Sequence, residues 1–315
     1  MSARELDAAG ITDPALRASY EACRKLNASH GKTYYLATLL LPAAKRPYVH
    51  ALYGFARYAD EIVDDLASTL TDAEKADWLT TWGAQFLKDV KQGGSDHPIS
   101  KAVVDTVRRW DIPLSYVEDF LASMRMDLTV TEYATYEDLM VYVHGSAAVI
   151  GLQMVPVLEP LVPREVADPY AADLGIAFQL SNFIRDVGED LQRGRIYLPT
   201  EDLATFGVTR EHLERGVVDA RIRRLLAFEV ARTREIYRTA RQGVRLLHPT
   251  SRPCIETALT LYGGILDAVE EADYSVLTGR VRVGRARRVA VAGPGLVRAY
   301  RARQDSEQRG RTRTA

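Results

Sequence analysis

Gln179, Asn182, Asp186 and Asp190 recur at i, i+3, i+7 and i+11 within the stretch QLSNFIRDVGEDLQRGRIYLP. On a helix turning about 100° per residue they form one narrow polar stripe, beside an apolar stripe of Ala177, Leu180, Ile184, Val187 and Leu191. Oxygens in that register can face a single point beside the helix. Carboxylates crowded into a partly buried cleft repel one another unless a positive charge joins them. A hard divalent cation suits such ligands: Mg²⁺, with Mn²⁺ as its substitute, takes a few carboxylates plus water and phosphate oxygens. Alone, the stripe reads equally as a solvated charged face.

A second stretch, YGFARYADEIVDD, supplies the counterpart. Tyr53, Arg57, Asp60 and Asp64 share one stripe at i, i+4, i+7 and i+11, and Leu52, Phe55, Ala59, Ile62, Val63 and Leu66 make the apolar face. If the two helices pack with these stripes facing, four aspartates and the Asn182 oxygen surround one polar pocket. Arg57, Arg185 and Gln179 lie in or beside the same rows, where they suit a diphosphate. Two such stripes together favour metal-bridged diphosphate binding.

On these residues the chain resembles the squalene and phytoene synthase family. RYADEIVD, from Arg57 to Asp64, is similar to its first acidic motif. QLSNFIRDVGED, from Gln179 to Asp190, is similar to the second, and RIYLP follows from Arg195 as it does there. HGKTYYLATLLLP and GSAAVIGLQM look most like the bacterial phytoene synthases of that family. The resemblance implies a helical bundle of the isoprenoid synthase type with a central active-site cavity. It implies Mg²⁺ held by Asp60, Asp64, Asn182, Asp186 and Asp190, with Tyr53, Arg57 and Arg185 assisting catalysis. His30, Lys32, Thr33, Tyr53, Arg57, Gln179, Asn182, Arg185, Arg195 and Tyr262 become substrate contacts. Gly31 stands where many relatives have a serine.

The reaction implied is head-to-head condensation of two geranylgeranyl diphosphates, through a cyclopropyl intermediate (prephytoene diphosphate), to phytoene for carotenoid biosynthesis. NADPH is not expected, because the last cation loses a proton instead of taking a hydride. Leu36, Ala37 and Thr38 are small where the resemblance places larger aromatics in C30 enzymes, which implies C20 substrates. The family pattern Y-x-Y-G has its second tyrosine replaced here, so the helix reads Tyr142-Val143-His144-Gly145. That puts His144 at the reacting centre, whereas a lone histidine on an apolar helix otherwise reads as packing. Three alternatives stand beside this reading. One is a C30 synthase using farnesyl diphosphate to make squalene, dehydrosqualene or hydroxysqualene. Another is a head-to-tail chain-elongating enzyme, although those carry D-D-x-x-D motifs. The third is a non-catalytic prenyl-diphosphate-binding relative.

The elements that must position these residues are helical throughout. Helical periodicity dominates and no convincing alternating run argues for strands, so the fold class expected is all-α, a single condensing domain over residues 1–280. Asp13-Pro14 reads as a helix start, and Thr135 with Asp138 as a capping box. Leu139 to Leu158 is apolar enough for a membrane span by length. Its small residues, Gly145 to Ala148 and Gly151, instead suggest a core helix forming a tunnel wall. Residues 281–315 are arginine-rich, and Gly293-Pro294-Gly295 predicts a broken, disordered tail with weak attraction to an anionic lipid surface. A net charge of −1 gives no reason to expect a nucleic-acid partner. Two cysteines and an N-terminus without an apolar signal segment point to a cytoplasmic enzyme, peripheral to the membrane at most, whose product passes to a carotenoid desaturase.

Overall fold

Capping side chains written into the sequence set the helix starts. The computed structural model describes residues 3–64, 69–282 and 284–314; side chains at 64, 285, 286, 288, 289 and 309–314 lie outside that description. The helices run α1 (Ala3–Ala8), α2 (Pro14–His30), α3 (Lys32–Thr38), α4 (Arg46–Asp64), α5 (Asp72–Gln92), α6 (Ser100–Arg109) and α7 (Leu114–Met126). Next come α8 (Tyr136–Val143), a π-turn at His144–Ala148, α9 (Val149–Leu158) and α10 (Arg164–Gln192). The chain closes with α11 (Thr200–Thr205), α12 (Arg210–Glu214), α13 (Ala220–Gly243), α14 (Arg252–Glu271) and α15 (Arg285–Thr314). Among the described residues β pairing is confined to two isolated bridges, Glu132 with Ile196 and Pro160 with Leu247. The fold is the all-α isoprenoid synthase bundle.

Asp13 starts α2 by accepting from Leu16 N–H at 2.6 Å, with Pro14 at the first helical position. The Thr135–Asp138 box forms in both directions at α8, each bond 3.1 Å. A second box, Thr71 with Glu74, opens α5. At its far end Gly93 takes a left-handed conformation (φ 85°) and caps the helix.

The run Tyr136–Leu158 stands at the centre. It is long and apolar enough to cross a membrane, yet 61% of its apolar window is buried inside the bundle. Its later part, α9, packs on α4 and on α10, so the two helices carrying the acidic stripes stand on either side of one core element. Contact here is close. A Cβ on Gly145 would lie 2.2 Å from the Asp119 carbonyl of α7, and one on Gly175 of α10 would lie 2.3 Å from the Ala147 carbonyl. Only glycine lets these backbones approach so nearly.

The C-terminal segment corrects the expectation of a broken, disordered tail. Residues 285–314 form α15, which runs through Gly293-Pro294-Gly295 and packs along α14. Tertiary contact overrides local propensity here. Ala292 and Ala299 are buried, Gly295 approaches Thr257 so closely that a Cβ would lie 2.6 Å from its hydroxyl, and Arg303 donates to the Leu40 and Leu41 carbonyls at 2.7 and 2.9 Å.

Candidate active site

A cavity of about 350 Å³ opens between α4 and α10. Its polar end is built by Tyr53, Arg57 and Asp60 from α4 and by Gln179 and Asn182 from α10. Below that rim the lining turns apolar, through Phe178, Met124 and Ile150 to Leu41, Leu158 and Leu247. Ala37 and Thr38 both line it. Two stripes more than a hundred residues apart in sequence thus meet across one space, because each helix buries its apolar face and leaves its polar one towards the gap.

The acids are already matched with guanidinium groups. Arg57 donates to Asp60 at 2.6 Å and to Glu61 at 3.2 Å. Asp186 lies one turn beyond Asn182, held by Arg185 at 2.5 and 2.7 Å and by Arg280 at 3.0 and 3.1 Å. Asp190 borders a separate small recess with Arg195 and Tyr197. The side chain of Asp64 lies outside the described residues. No three histidines, cysteines or acids close on a common point among the described residues. The donor set nevertheless suits a hard cation: Asp60 of α4 and Asn182 of α10 line the same cavity, and Asp186 follows on the Asn182 stripe.

Residues 27–287 match the family model described as squalene/phytoene synthase. The chain belongs to that family. The phytoene synthase of Arthrospira platensis is 39% identical over 283 residues, covering 86% of this chain and 90% of its own. The 15-cis-phytoene synthase of Synechococcus elongatus is 36% identical over 294 residues, covering 90% and 94%. A dehydrosqualene synthase solved in complex with ligand superposes with a TM-score of 0.81 at 26% identity, covering 89% of this chain and 96% of that one. The squalene synthase HpnC from Alicyclobacillus acidocaldarius gives 0.76 at 25% identity, with 85% and 98% covered.

Within this family member the remaining expected residues divide. His30 Nε2 lies 3.2 Å from Glu61, which also receives Arg57, so Glu61 ties the end of α2 to α4. Lys32 is exposed and Thr33 half-buried in the first turn of α3. A side chain at Gly31 would require the Tyr53 ring and Asn27 to shift, since a Cβ there would lie 2.6 Å from each. Arg195 donates to the Asp127 carbonyl at 2.9 Å. Tyr262 is buried, stacks on Phe178 at 4.3 Å and packs its ring on Tyr34 at 4.9 Å. Burial raises the pKa of both phenols, while the Arg185 charge works in the opposite direction on each. Tyr53 is pushed up to about 12, chiefly by burial, although Arg57 lowers it. These hydroxyls remain protonated donors at neutral pH.

His144 is not at the reacting centre. It is absent from the cavity wall, its side chain is 55% exposed, and Nε2 lies 3.4 Å from Asp119. Helix rotation explains the difference: Tyr142, two residues earlier, faces inward, lines the cavity and donates to Asp127 at 2.9 Å. Asp127 also receives Tyr197 at 2.9 Å. Sequence reading missed this Asp127–Tyr142–Tyr197 network, along with Tyr34, Phe178, Asn27 and Arg280. Tyr34 had a signal, since it follows Lys32-Thr33 directly, but nothing local marks Asp127 or Arg280 as neighbours of the acidic helix.

Proposed function

We propose that the chain is a phytoene synthase of carotenoid biosynthesis, condensing two geranylgeranyl diphosphates head to head. One observation carries this: one cavity joins a polar rim from both acidic helices to an apolar body lined by Leu41, Leu158 and Leu247. The phytoene synthases named above support the activity, at 36–39% identity over most of the chain. Arg57 and Gln179, with Lys32 and Arg185 nearby, bind and orient the leaving diphosphate. Asp60, Asn182 and Asp186 would hold Mg²⁺, which when bound supplies neutralising charge to the departing pyrophosphate.

Breaking the C1–O bond leaves an allylic cation that must meet no water. Phe178, Met124 and Ile150 exclude it, and the faces of Tyr34 and Phe178 attract the positive charge. Attack by the second substrate's double bond and loss of a proton give the cyclopropyl diphosphate. A second ionisation, rearrangement and proton loss then give phytoene, with no reductant consumed. Ala37 and Thr38 support the C20 substrate, since small side chains leave depth for the extra carbons. The free, buried Cys23 and Cys254 support a cytoplasmic location. Leu296, Val297 and Tyr300 are exposed on α15 beside arginines, which supports weak contact with an anionic membrane where a C40 hydrocarbon is delivered to a desaturase.

The test is incubation with C15 or C20 diphosphates and Mg²⁺, with and without NADPH, followed by product identification. Phytoene from the C20 substrate without NADPH is expected. Asp60→Asn and Asp186→Asn should each lower pyrophosphate release on the order of 100-fold. A C30 product formed from the C15 substrate at equal or higher rate would replace this reading by the farnesyl one.

A further inference from the structure

Several buried hydroxyls on these helices bond back to the carbonyl four residues earlier. Ser181 donates to Ala177 O at 2.7 Å, and Thr38, Thr106 and Thr233 donate to Tyr34, Ala102 and Glu229 O at 2.8 Å. Such a bond satisfies the group without any ligand. Ser146 breaks the pattern. It lines the central cavity, and its Oγ is buried without a hydrogen-bond partner. The carbonyl it would ordinarily use, Tyr142 O, already accepts from Ser123 Oγ of α7 at 2.9 Å. Thr257 Oγ1 is also unpartnered, but it is covered by Gly295 of α15 and takes no part in the cavity wall.

The backbone around Ser146 is held with unusual firmness. It sits in the π-turn, where Val149 N–H reaches back to His144 O and the helix is locally widened. Gly145 is pressed on α7 and Ala147 on Gly175 of α10, with no room for a methyl group on either glycine. The wall around it is apolar, with Phe120, Met124, Ala147 and Ile150. A rigidly placed hydroxyl with no bond to break can turn to a ligand at little cost, although leaving it unpaired weakens the folded state.

We propose that Ser146 is a further catalytic residue, whose hydroxyl oxygen meets the positive charge that develops on the prenyl carbon skeleton. No bond forms to it and no proton moves; rotation about Cα–Cβ turns its lone pairs from their buried position towards the stretch of wall lined by Phe120, Met124, Ala147 and Ile150. The inference rests on the prenyl diphosphate reading above.

Full-length Ser146→Ala and Ser146→Thr test it with two probes. One is a geranylgeranyl amine given with pyrophosphate, which mimics the cation, and the other is the unreactive geranylgeranyl thiolodiphosphate, which mimics the neutral chain. Ser146→Ala should raise Tm by about 1–3 °C, because an unmet buried hydroxyl is removed. It should weaken the amine about five- to tenfold and slow pyrophosphate release about tenfold, with thiolodiphosphate affinity kept within about twofold. Ser146→Thr should restore amine binding. The proposal is overturned if Ser146→Ala binds the amine like the wild type, or if the variant unfolds or loses Tm, since the hydroxyl is then structural. A wild-type protein that neither binds the thiolodiphosphate nor releases pyrophosphate instead removes the functional reading itself.

Discussion

His50, on α4 one turn before Tyr53, has no solvent exposure. Its Nδ1 lies 2.9 Å from the Asn27 amide, Tyr35 stacks on the ring at 5.6 Å, and Nε2 has no partner. Burial above all, then the Arg24 charge, depresses its pKa to about 3. A depressed histidine leaves stability whole above the unfolded value near ~6.5 and erodes it as pH falls towards 3, because only the unfolded chain takes up the proton. Between pH 6.5 and 5 the His50 contribution alone approaches a loss of about 1.4 kcal/mol per pH unit. Glu229, whose carboxyl burial raises to about 8, works in the opposite direction because there the folded state holds the extra proton. Urea denaturation of the wild type and His50→Gln at several pH values isolates the histidine's part: the variant's stability should fall less, or rise, as pH drops through that window. An unchanged slope would show that the buried imidazole is not its source. The paired aspartates were legible from spacing, since period alone places them on one face. His50 and His144 were not, because exposure is a property of neighbours contributed by other helices.

Among the elements, the π-turn and its contacts with α7 and α10 set the shape of the cavity wall. The sequence displays small residues from Gly145 to Gly151 and so announces a close approach, but it does not name the partner. Gly175, twenty-four residues past Gly151, carries no local mark of its role against the Ala147 carbonyl. Gly175→Ala should therefore destabilise the fold by about 1–3 kcal/mol, as a backbone carbonyl cannot swing aside. Gly263→Ala on α14 is the control. A Cβ there meets nothing within 4 Å, so the change should be neutral or stabilise by about 0.5–1 kcal/mol. Equal denaturation midpoints for the two variants would refute the clamp.

At the scale of the whole molecule, α15 covers the seam between α3 and α14. Gly295 rests on Thr257 and Leu40, and Arg303 bonds the Leu40 and Leu41 carbonyls just past the end of α3. Arg298 also pairs with Glu256 at 3.3 Å, and Arg287 pairs with Asp267. Leu41 and Ala258, next to these contacts, line the cavity. A chain ending at residue 284 should lose about 5 °C or more in Tm and leak water to the reacting cation, seen as prenyl alcohol among the products. Thermal denaturation with product analysis measures both. Wild-type values for each would mean that the helix is dispensable.

By itself, the sequence determined the helical class, the two acidic stripes, the caps at Asp13 and Thr135, and the family. Each of these depends on residues within a few turns of one another, where helical period and side-chain chemistry are enough. Tertiary structure alone decided which stripe members reach the cavity, that Tyr142 turns inward while His144 faces solvent, and that a glycine- and arginine-rich end docks as a helix. Those outcomes depend on contacts between segments far apart in the chain. Asp186 and Arg280 are the clearest case: ninety-four residues separate them, and only the packed bundle brings them within 3.1 Å.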